Sequence, residues 1–186
     1  MKELSLNILD VAENSVKAGA SIIRIELEET EETLVLRITD NGCGMSPDVL
    51  RGVTDPFYTT RTTRKVGLGL PLLKLAAEQT GGTLTVTSRH ESAFPDDHGT
   101  EVTATFRKNH IDCTPMGDVV SSVVTLIQGN PDREFVFRHR RPDGAVELDT
   151  RQLREVLGPD VPLNSFEVLQ WITDYLHEQY GGETNL

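Results

Sequence analysis

Two glycine-rich motifs separated by a basic segment constrain this sequence more than any other feature. Residues 40–45 read DNGCGM, and residues 67–70 read GLGL. A run of alternating apolar and polar residues ends just before the first motif, and an apolar helical run follows the second. Two glycine turns with a basic loop between them suit a ligand that has a hydrogen-bonding edge and several negative charges. A nucleotide fits this description.

Charge and composition limit the partners that this chain is expected to have. Its 186 residues carry a net charge of −11, which argues against nucleic-acid binding, because phosphate contacts need clustered Lys and Arg. Residues 61–65 nevertheless form a local basic patch. No apolar run approaches the roughly 18 residues of a membrane helix, and the amino terminus lacks a signal-peptide pattern. Because Cys43 and Cys113 match no metal motif or disulfide framework, we expect reduced thiols in a cytoplasmic protein that binds neither membranes nor nucleic acid.

Hydrophobic periodicity predicts an α+β fold in two layers, with helices on one face of an antiparallel-rich sheet. Residues 1–109 are expected to form the larger domain, and residues 110–186 a small α+β extension. The predicted elements of the larger domain are a helix over 4–18, a hairpin ending near 39, a helix over 70–78 and a hairpin over 83–106.

The extension is predicted to contain an apolar run of uncertain type at 119–127, a hairpin turning at 141–144, a helix over 150–157 and a last helix capped by Ser165. It is either a small partner-binding domain or further layers packed on the larger domain. We expect Leu169, Ile172 and Leu176 to form the buried stripe of the last helix, joined by Phe166 and Tyr180. Trp171 lies beside that stripe, and a role in core packing is favoured over a partner site. The histidines, at positions 90, 98, 110, 139 and 177, read as ordinary surface or loop residues.

Two common nucleotide motifs are absent from the sequence. The first glycine pair lacks the third glycine of a dinucleotide fingerprint, and no GxxxxGK[ST] sequence exists. Single glycine pairs are weak signals, because structural turns use them too. Their order along the chain is more specific.

That order resembles the GHKL superfamily, which groups gyrase, heat-shock chaperone, sensor histidine kinase and mismatch-repair ATPases. Residues 9–20 resemble its N box, residues 40–45 its first glycine box, residues 55–60 the F box of histidine kinases, and residues 67–70 their second glycine box. Residues 99–100 match the Gly-Thr before the last core strand. The resemblance covers residues 4 to about 107. It implies a two-layer α/β sandwich of Bergerat type that binds ATP and Mg²⁺.

The resemblance also implies roles for individual residues at the nucleotide. Asp40 would accept a hydrogen bond from the adenine amino group, and Thr100 would support the same base edge. Asn14 would give a side-chain oxygen to Mg²⁺, which prefers oxygen ligands. Glycine would let the backbone approach the ligand closely at Gly42, Gly44, Gly67 and Gly69. Positive charge near the phosphates would come from Lys17, Arg61 and Lys65. The nucleotide site would be completed by the remaining box residues, Met45, Phe57, Leu68 and Leu70.

One departure from the family pattern bears on catalysis. Gyrase-like ATPases and anti-sigma-factor kinases carry Glu four residues before the N-box Asn, where this chain has the shorter Asp10. Asp10 is therefore the expected catalytic base. Glu13 is next to Asn14 in the sequence, so its side chain points roughly 100° away from that of Asn14 around the helix, and it is a poor substitute for the base.

Three functional hypotheses follow. The first is a stand-alone ATP-binding domain that transfers the γ-phosphate to a partner protein in a signalling pathway. The second is an ATP- or ADP-sensing module with little turnover. A gyrase-like, ATP-driven dimer closure on nucleic acid is the weakest. Many family members pair through this domain, so a homodimer is possible, but the sequence locates no dimer face.

Overall fold

The computed structural model describes residues 3–57 and 68–181 as an α+β fold built on one six-stranded sheet. The predicted fold class is confirmed. The strands are β1 (Ile22–Glu29), β2 (Thr33–Asp40), β3 (Thr83–Arg89), β4 (Gly99–Arg107), β5 (Glu134–Arg141) and β6 (Gly144–Asp149). The helices are α1 (Leu4–Lys17), α2 (Pro47–Gly52), α3 (Gly69–Gln79), α4 (Val119–Gly129), α5 (Thr150–Leu157) and α6 (Phe166–Gln179).

The strands lie in the order β3-β4-β2-β1-β5-β6, and every neighbouring pair is antiparallel except β1 and β5. The three predicted hairpins are present. The apolar run of uncertain type is α4, which carries the chain across to β5, as a parallel pair requires. The strands of the carboxy-terminal region therefore extend the sheet begun by the amino-terminal region.

One layer of helices covers the sheet. Within it α3 packs on α1, α1 on α4, and α4 on α6, so α1 lies between helices from the two regions. The segment before α4 also closes the start of α1. The carbonyls of Pro115 and Met116 accept hydrogen bonds from the backbone N–H groups of Leu4 and Ser5, each at 2.8 Å. These contacts satisfy donors that a helix amino terminus leaves without intrahelical partners.

A single hydrophobic core lies between the sheet and this helix layer, and both regions contribute to it. Ile23 of β1 is in register with Phe135 of β5, and both side chains are at most 1% exposed. On the other side of β1, Ile25 is in register with Ile38 of β2. Burying each such side chain fully stabilises the fold by about 1.5–3 kcal/mol. The two regions thus share their most buried contacts.

Three expectations about single residues are wrong. His139 is only 3% exposed, because it follows Phe135 and Phe137 on the inward face of β5. Trp171 and Phe166 are 49% and 76% exposed, since the inward face of α6 is made by other residues. Those residues are Val168, Ile172 and Leu176. In the described part of the chain, every helix is too short or too polar to cross a membrane.

Candidate functional site

Asp40 ends β2 with its carboxylate held in one orientation. The hydroxyl of Ser15, on α1, donates to Oδ2 at 2.5 Å, and the backbone N–H of Gly42 donates to Oδ1 at 2.8 Å. Each oxygen keeps a second lone pair for another donor. The strand end therefore presents a fixed acceptor, as the proposed contact with an adenine amino group requires.

Thr100 and Ser88 extend this polar group across the sheet. Thr100 is directly opposite Asp40 in the β2–β4 register, and Ser88 is opposite Thr100 in the β3–β4 register. The hydroxyls of Ser88 and Thr100 are 2.8 Å apart, and Ser88 also accepts from the backbone N–H of Met45 at 2.7 Å. The polar residues therefore form a row at the end of the inward sheet face. Ser88 connects that row to the loop that follows β2.

Gly42 and Gly44 are required by contacts within the protein as well as by any ligand. A Cβ at Gly44, whose φ is +72°, would lie 2.0 Å from the carbonyl oxygen of Arg89. A Cβ at Gly42 would lie 2.8 Å from the Cβ of Ala18. Larger residues would push the loop away from β3 and α1. The DNGCGM sequence thus fixes the loop beside Asp40.

The start of α3 lies against a polar face of α1. A Cβ at Gly69, the first residue of α3, would be 3.2 Å from the Cβ of Asp10 and 3.9 Å from Nδ2 of Asn14. Leu70 is buried and anchors this first turn, whereas Leu68 is 56% exposed. The free N–H groups and positive dipole of a helix amino terminus favour negatively charged groups. This arrangement suits a phosphate near Asp10 and Asn14.

The remaining predicted site residues are less closely connected to this group. Lys17 is exposed in the last turn of α1, and Met45 is half-buried against the core. Phe57 is 89% exposed, and its backbone N–H donates to Asp55 at 2.9 Å. Arg61, Lys65 and Gly67 lie outside the described residues.

Sequence reasoning missed three residues that position the loop and the acceptor. Ser15 lies within the helix predicted over 4–18, where a buried hydroxyl on an apolar face indicates a polar partner. Ser88 lies within the hairpin predicted over 83–106, and no sequence signal distinguishes it there. His98, read as an ordinary loop histidine, donates from Nδ1 to the carbonyl oxygen of Gly42 at 2.5 Å. It thereby holds the loop that carries Gly42.

The comparisons with known proteins agree with this geometry. Residues 2–110 match the family described as histidine kinase-, DNA gyrase B- and HSP90-like ATPase. The chain belongs to this family. The matched range of this ATPase-family chain includes the described site residues from Asp10 to Thr100.

Named relatives add further detail. The sensor protein SrrB of Staphylococcus aureus is 36% identical over 93 residues, which are 47% of this chain and 16% of SrrB. The chain thus spans a small part of the length of the curated relatives it matches. A solved structure described as the amino-terminal domain of a DNA repair protein is similar with a TM-score of 0.52 at 18% identity. It covers 80% of this chain and 53% of that one. This likeness concerns the fold and extends over more of the chain than residues 2–110.

Proposed function

We propose that this chain binds Mg-ATP and transfers the γ-phosphate to a partner protein in a regulatory pathway. The observation that carries the proposal is the position of α1 between two polar features. Ser15 holds the Asp40 acceptor, and the preceding residue, Asn14, faces Gly69 at the start of α3 together with Asp10. One helix thus joins an acceptor for a base to an amino terminus suited to phosphate. A nucleoside triphosphate has both parts.

The residues present fit a magnesium-bound triphosphate. A Cβ at Gly69 would lie 3.2 Å from the Cβ of Asp10, so glycine lets the start of α3 approach Asp10 and Asn14 closely. The described residues contain no cluster of three His, Cys, Asp or Glu side chains able to hold a metal by themselves. This agrees with Mg²⁺, which binds through few protein oxygens and takes the rest from phosphate and water. The amide oxygen of Asn14 would hold the ion, whose charge would offset that of the phosphates.

Asp10 is the proposed general base. Its side chain is exposed and lies on the α1 face that contacts the start of α3. There its carboxylate would accept the proton of an attacking hydroxyl, provided that the hydroxyl comes within about 3 Å. Catalysis would otherwise rest on positioning and charge neutralisation, the main requirements of phosphoryl transfer.

The second candidate is an ATP- or ADP-sensing module. It is favoured by Asp10, which is one methylene shorter than the Glu expected from the family pattern and reaches less far. In this case nucleotide binding would change the chain's affinity for a partner by shifting a conformational equilibrium, without turnover.

The test incubates the full chain with Mg²⁺ and γ-labelled ATP, alone and with native cell extract. If the chain is a kinase, label appears on a second protein, and Asp10→Ala abolishes this transfer while nucleotide affinity is kept. Glu13→Ala, which removes the neighbouring carboxylate, is the matched control and should transfer normally. Transfer by Asp10→Ala would contradict the base role. Nucleotide that stays bound and intact for hours would favour the sensing module.

Nucleotide binding itself is tested separately with a fluorescent ATP analogue. Asp40→Asn should weaken binding by about tenfold or more, because a hydrogen bond to a charged group contributes about 1.5–3 kcal/mol. Asp96→Asn makes the same change in the exposed loop before β4 and should bind normally. Equal affinity for the two variants would contradict the proposed site, and so would failure of the unmodified chain to bind.

A further inference from the structure

The carboxy-terminal region contains an open groove of about 460 Å³ beside the edge strand β6, with apolar side chains on its two helical walls. One wall is α5, with Leu153, Val156 and Leu157, and the other is α6, with Trp171 and Tyr175. We call it the α5–α6 groove. Trp171 and Tyr175 stack on each other, with ring centroids 4.8 Å apart and planes at 11°. Val156, Trp171 and Tyr175 are 83%, 49% and 37% exposed, so apolar side chains on both walls of the groove are in contact with water.

Gln179 limits the kind of polypeptide that this groove can hold. Its side-chain amide accepts from the backbone N–H of Glu147 at 2.8 Å and donates to the carbonyl of Glu147 at 2.9 Å. These backbone groups lie in the middle of β6, on the edge that an added strand would use. Because they are already bonded, an extended peptide gains little by pairing there. A helix needs no backbone bonds from its partner and meets no such obstacle.

The walls have the spacing that a third helix requires. Val156 and Leu157 lie three and four residues after Leu153, and Tyr175 lies four residues after Trp171, so each wall is one stripe of a helix. Such stripes accept the side chains of another helix between them. The groove therefore fits an apolar stripe at positions i, i+3, i+4 and i+7 better than a flat or irregular surface.

Charges at the rim favour a basic partner. The arginines around the groove are already paired: Arg138 with Glu147 at 2.8 Å, Arg151 with Asp149 at 2.8 Å, and Arg154 with Glu134 at 2.6 Å.

Three exposed glutamates at the rim, in contrast, form no ion pair within residues 3–57 and 68–181. Glu167 and Glu178 lie on the helical stripe of Trp171 and Tyr175, four residues before the first and three after the second. Glu155 lies one turn after Gln152, which lines the groove. Unpaired carboxylates therefore flank the apolar walls, and the floor between the walls is mixed, with Val136 beside the paired side chains of Arg138, Glu147 and Asp149.

We propose that the α5–α6 groove binds an amphipathic helix of a partner protein, with leucine-like side chains on one face and Lys or Arg beside them. The apolar face would cover Trp171, Tyr175 and Val156, and the basic flanks would meet Glu155, Glu167 and Glu178. This proposal does not depend on the nucleotide chemistry, because the groove shares no residue with the site around Asp40. Either proposal can fail while the other holds.

The experiment uses the full chain and a synthetic helix-forming peptide of Leu and Lys, with Leu at i, i+3, i+4 and i+7. Trp171 is the only tryptophan in the sequence, so its emission reports directly on the groove. We expect a saturable blue shift at physiological salt, because the peptide removes the indole from water. A scrambled peptide of the same composition should bind at least about tenfold more weakly, and so should a Leu and Glu peptide with the same apolar stripe.

Two variants locate the binding. With a fluorescein-labelled peptide, Trp171→Ala should weaken binding by about tenfold, as expected for a central aromatic contact. Val156→Ser, at an 83% exposed position that tolerates change, should weaken it by about threefold. Ile111→Ser is the matched control, because Ile111 is 95% exposed and lies outside the groove. It should bind like the unmodified chain.

Several results would overturn the proposal. They are no shift of Trp171 emission, equal binding of the scrambled or acidic peptide, and equal loss of affinity in Val156→Ser and Ile111→Ser. Sedimentation that reveals a dimer dissociated by Val156→Ser would identify the occupant as a second copy of this chain, which also contradicts a basic partner helix.

Discussion

The two ends of the sheet present opposite kinds of surface, one polar and one with exposed apolar side chains. Beside β2 and β4 the inward face ends in Asp40, Thr100 and Ser88, whose side chains are already hydrogen-bonded to the protein. Beside β6, the α5–α6 groove is lined by residues of the opposite sheet face and by apolar side chains of both helices, among them half-exposed aromatic rings. A bonded polar group suits a small charged ligand that must be held in one orientation. An open apolar groove suits a macromolecular surface, and one core supports both.

The largest effect is expected where the two regions meet. Phe135→Ala removes a fully buried ring opposite Ile23 and should lower the free energy of unfolding by about 3–5 kcal/mol. Because the core is shared, urea should unfold both regions in one transition, followed by Trp171 fluorescence and by bound fluorescent nucleotide.

Phe94→Ala, at a 47% exposed position, is the control and should cost much less. If Trp171 fluorescence and bound nucleotide gave different urea midpoints for Phe135→Ala, the two regions would unfold independently, which would contradict a shared core.

A smaller effect is expected on nucleotide affinity when a buried serine hydroxyl is removed beside Asp40, but not when one is removed elsewhere in the helix layer. Ser15→Ala removes the donor that orients Asp40 and should reduce nucleotide affinity by roughly tenfold, since a hydrogen bond to a charged group contributes about 1.5 kcal/mol or more. Ser122→Ala removes a similarly buried hydroxyl on α4, which donates to the carbonyl of Ser5 at 2.9 Å. It should lower stability and leave nucleotide affinity unchanged. Equal affinity losses, measured by titration of a fluorescent nucleotide, would contradict the role given to Ser15.

The smallest effect is a pH dependence at a buried junction of the regions. Nε2 of His139 lies 3.4 Å from Glu29 of β1, and Nδ1 lies 2.7 Å from the hydroxyl of Tyr180 after α6. Burial lowers the pKa of His139 below its usual 6.5, and nearby Arg141 and Lys108 act in the same direction, although Glu29 opposes them. Burial also raises the pKa of Tyr180 to about 12, so its hydroxyl remains a donor.

Stability is therefore expected to be complete above pH 6.5 and to fall as the pH decreases below it, because the unfolded chain then binds the proton more readily than the folded one. The slope for one proton is at most about 1.4 kcal/mol per pH unit. Urea unfolding at several pH values between 5 and 7.5 measures it. In His139→Gln the slope should be shallower, whatever its absolute stability. Identical slopes would contradict this assignment.

Local patterns predicted much of the fold, and long-range contacts account for the errors. Alternation and glycine turns predicted the three hairpins, but Asp40 comes opposite Thr100 through the pairing of β2 with β4, which joins two different hairpins and has no local signal. No local pattern indicates that β5 pairs with β1, because that contact joins residues more than a hundred positions apart. The burial of His139, on the inward face of β5, depends on that pairing. The bond from Ser15 to Asp40 likewise joins two elements that only the fold brings together.

The position of β1 between β2 and β5 has a consequence for how the chain is made. When residue 110 emerges from the ribosome, every described residue of the nucleotide site has already emerged. At that point β5 and α4 have not emerged, so one edge of β1 is unpaired and part of α1 is uncovered. At about 5–20 residues per second, β5 follows only after roughly a few seconds. During that interval the nascent chain presents apolar surface and an unpaired strand edge. A chaperone that acts on this protein would therefore be expected to bind mainly the first 110 residues, before the last strands are translated.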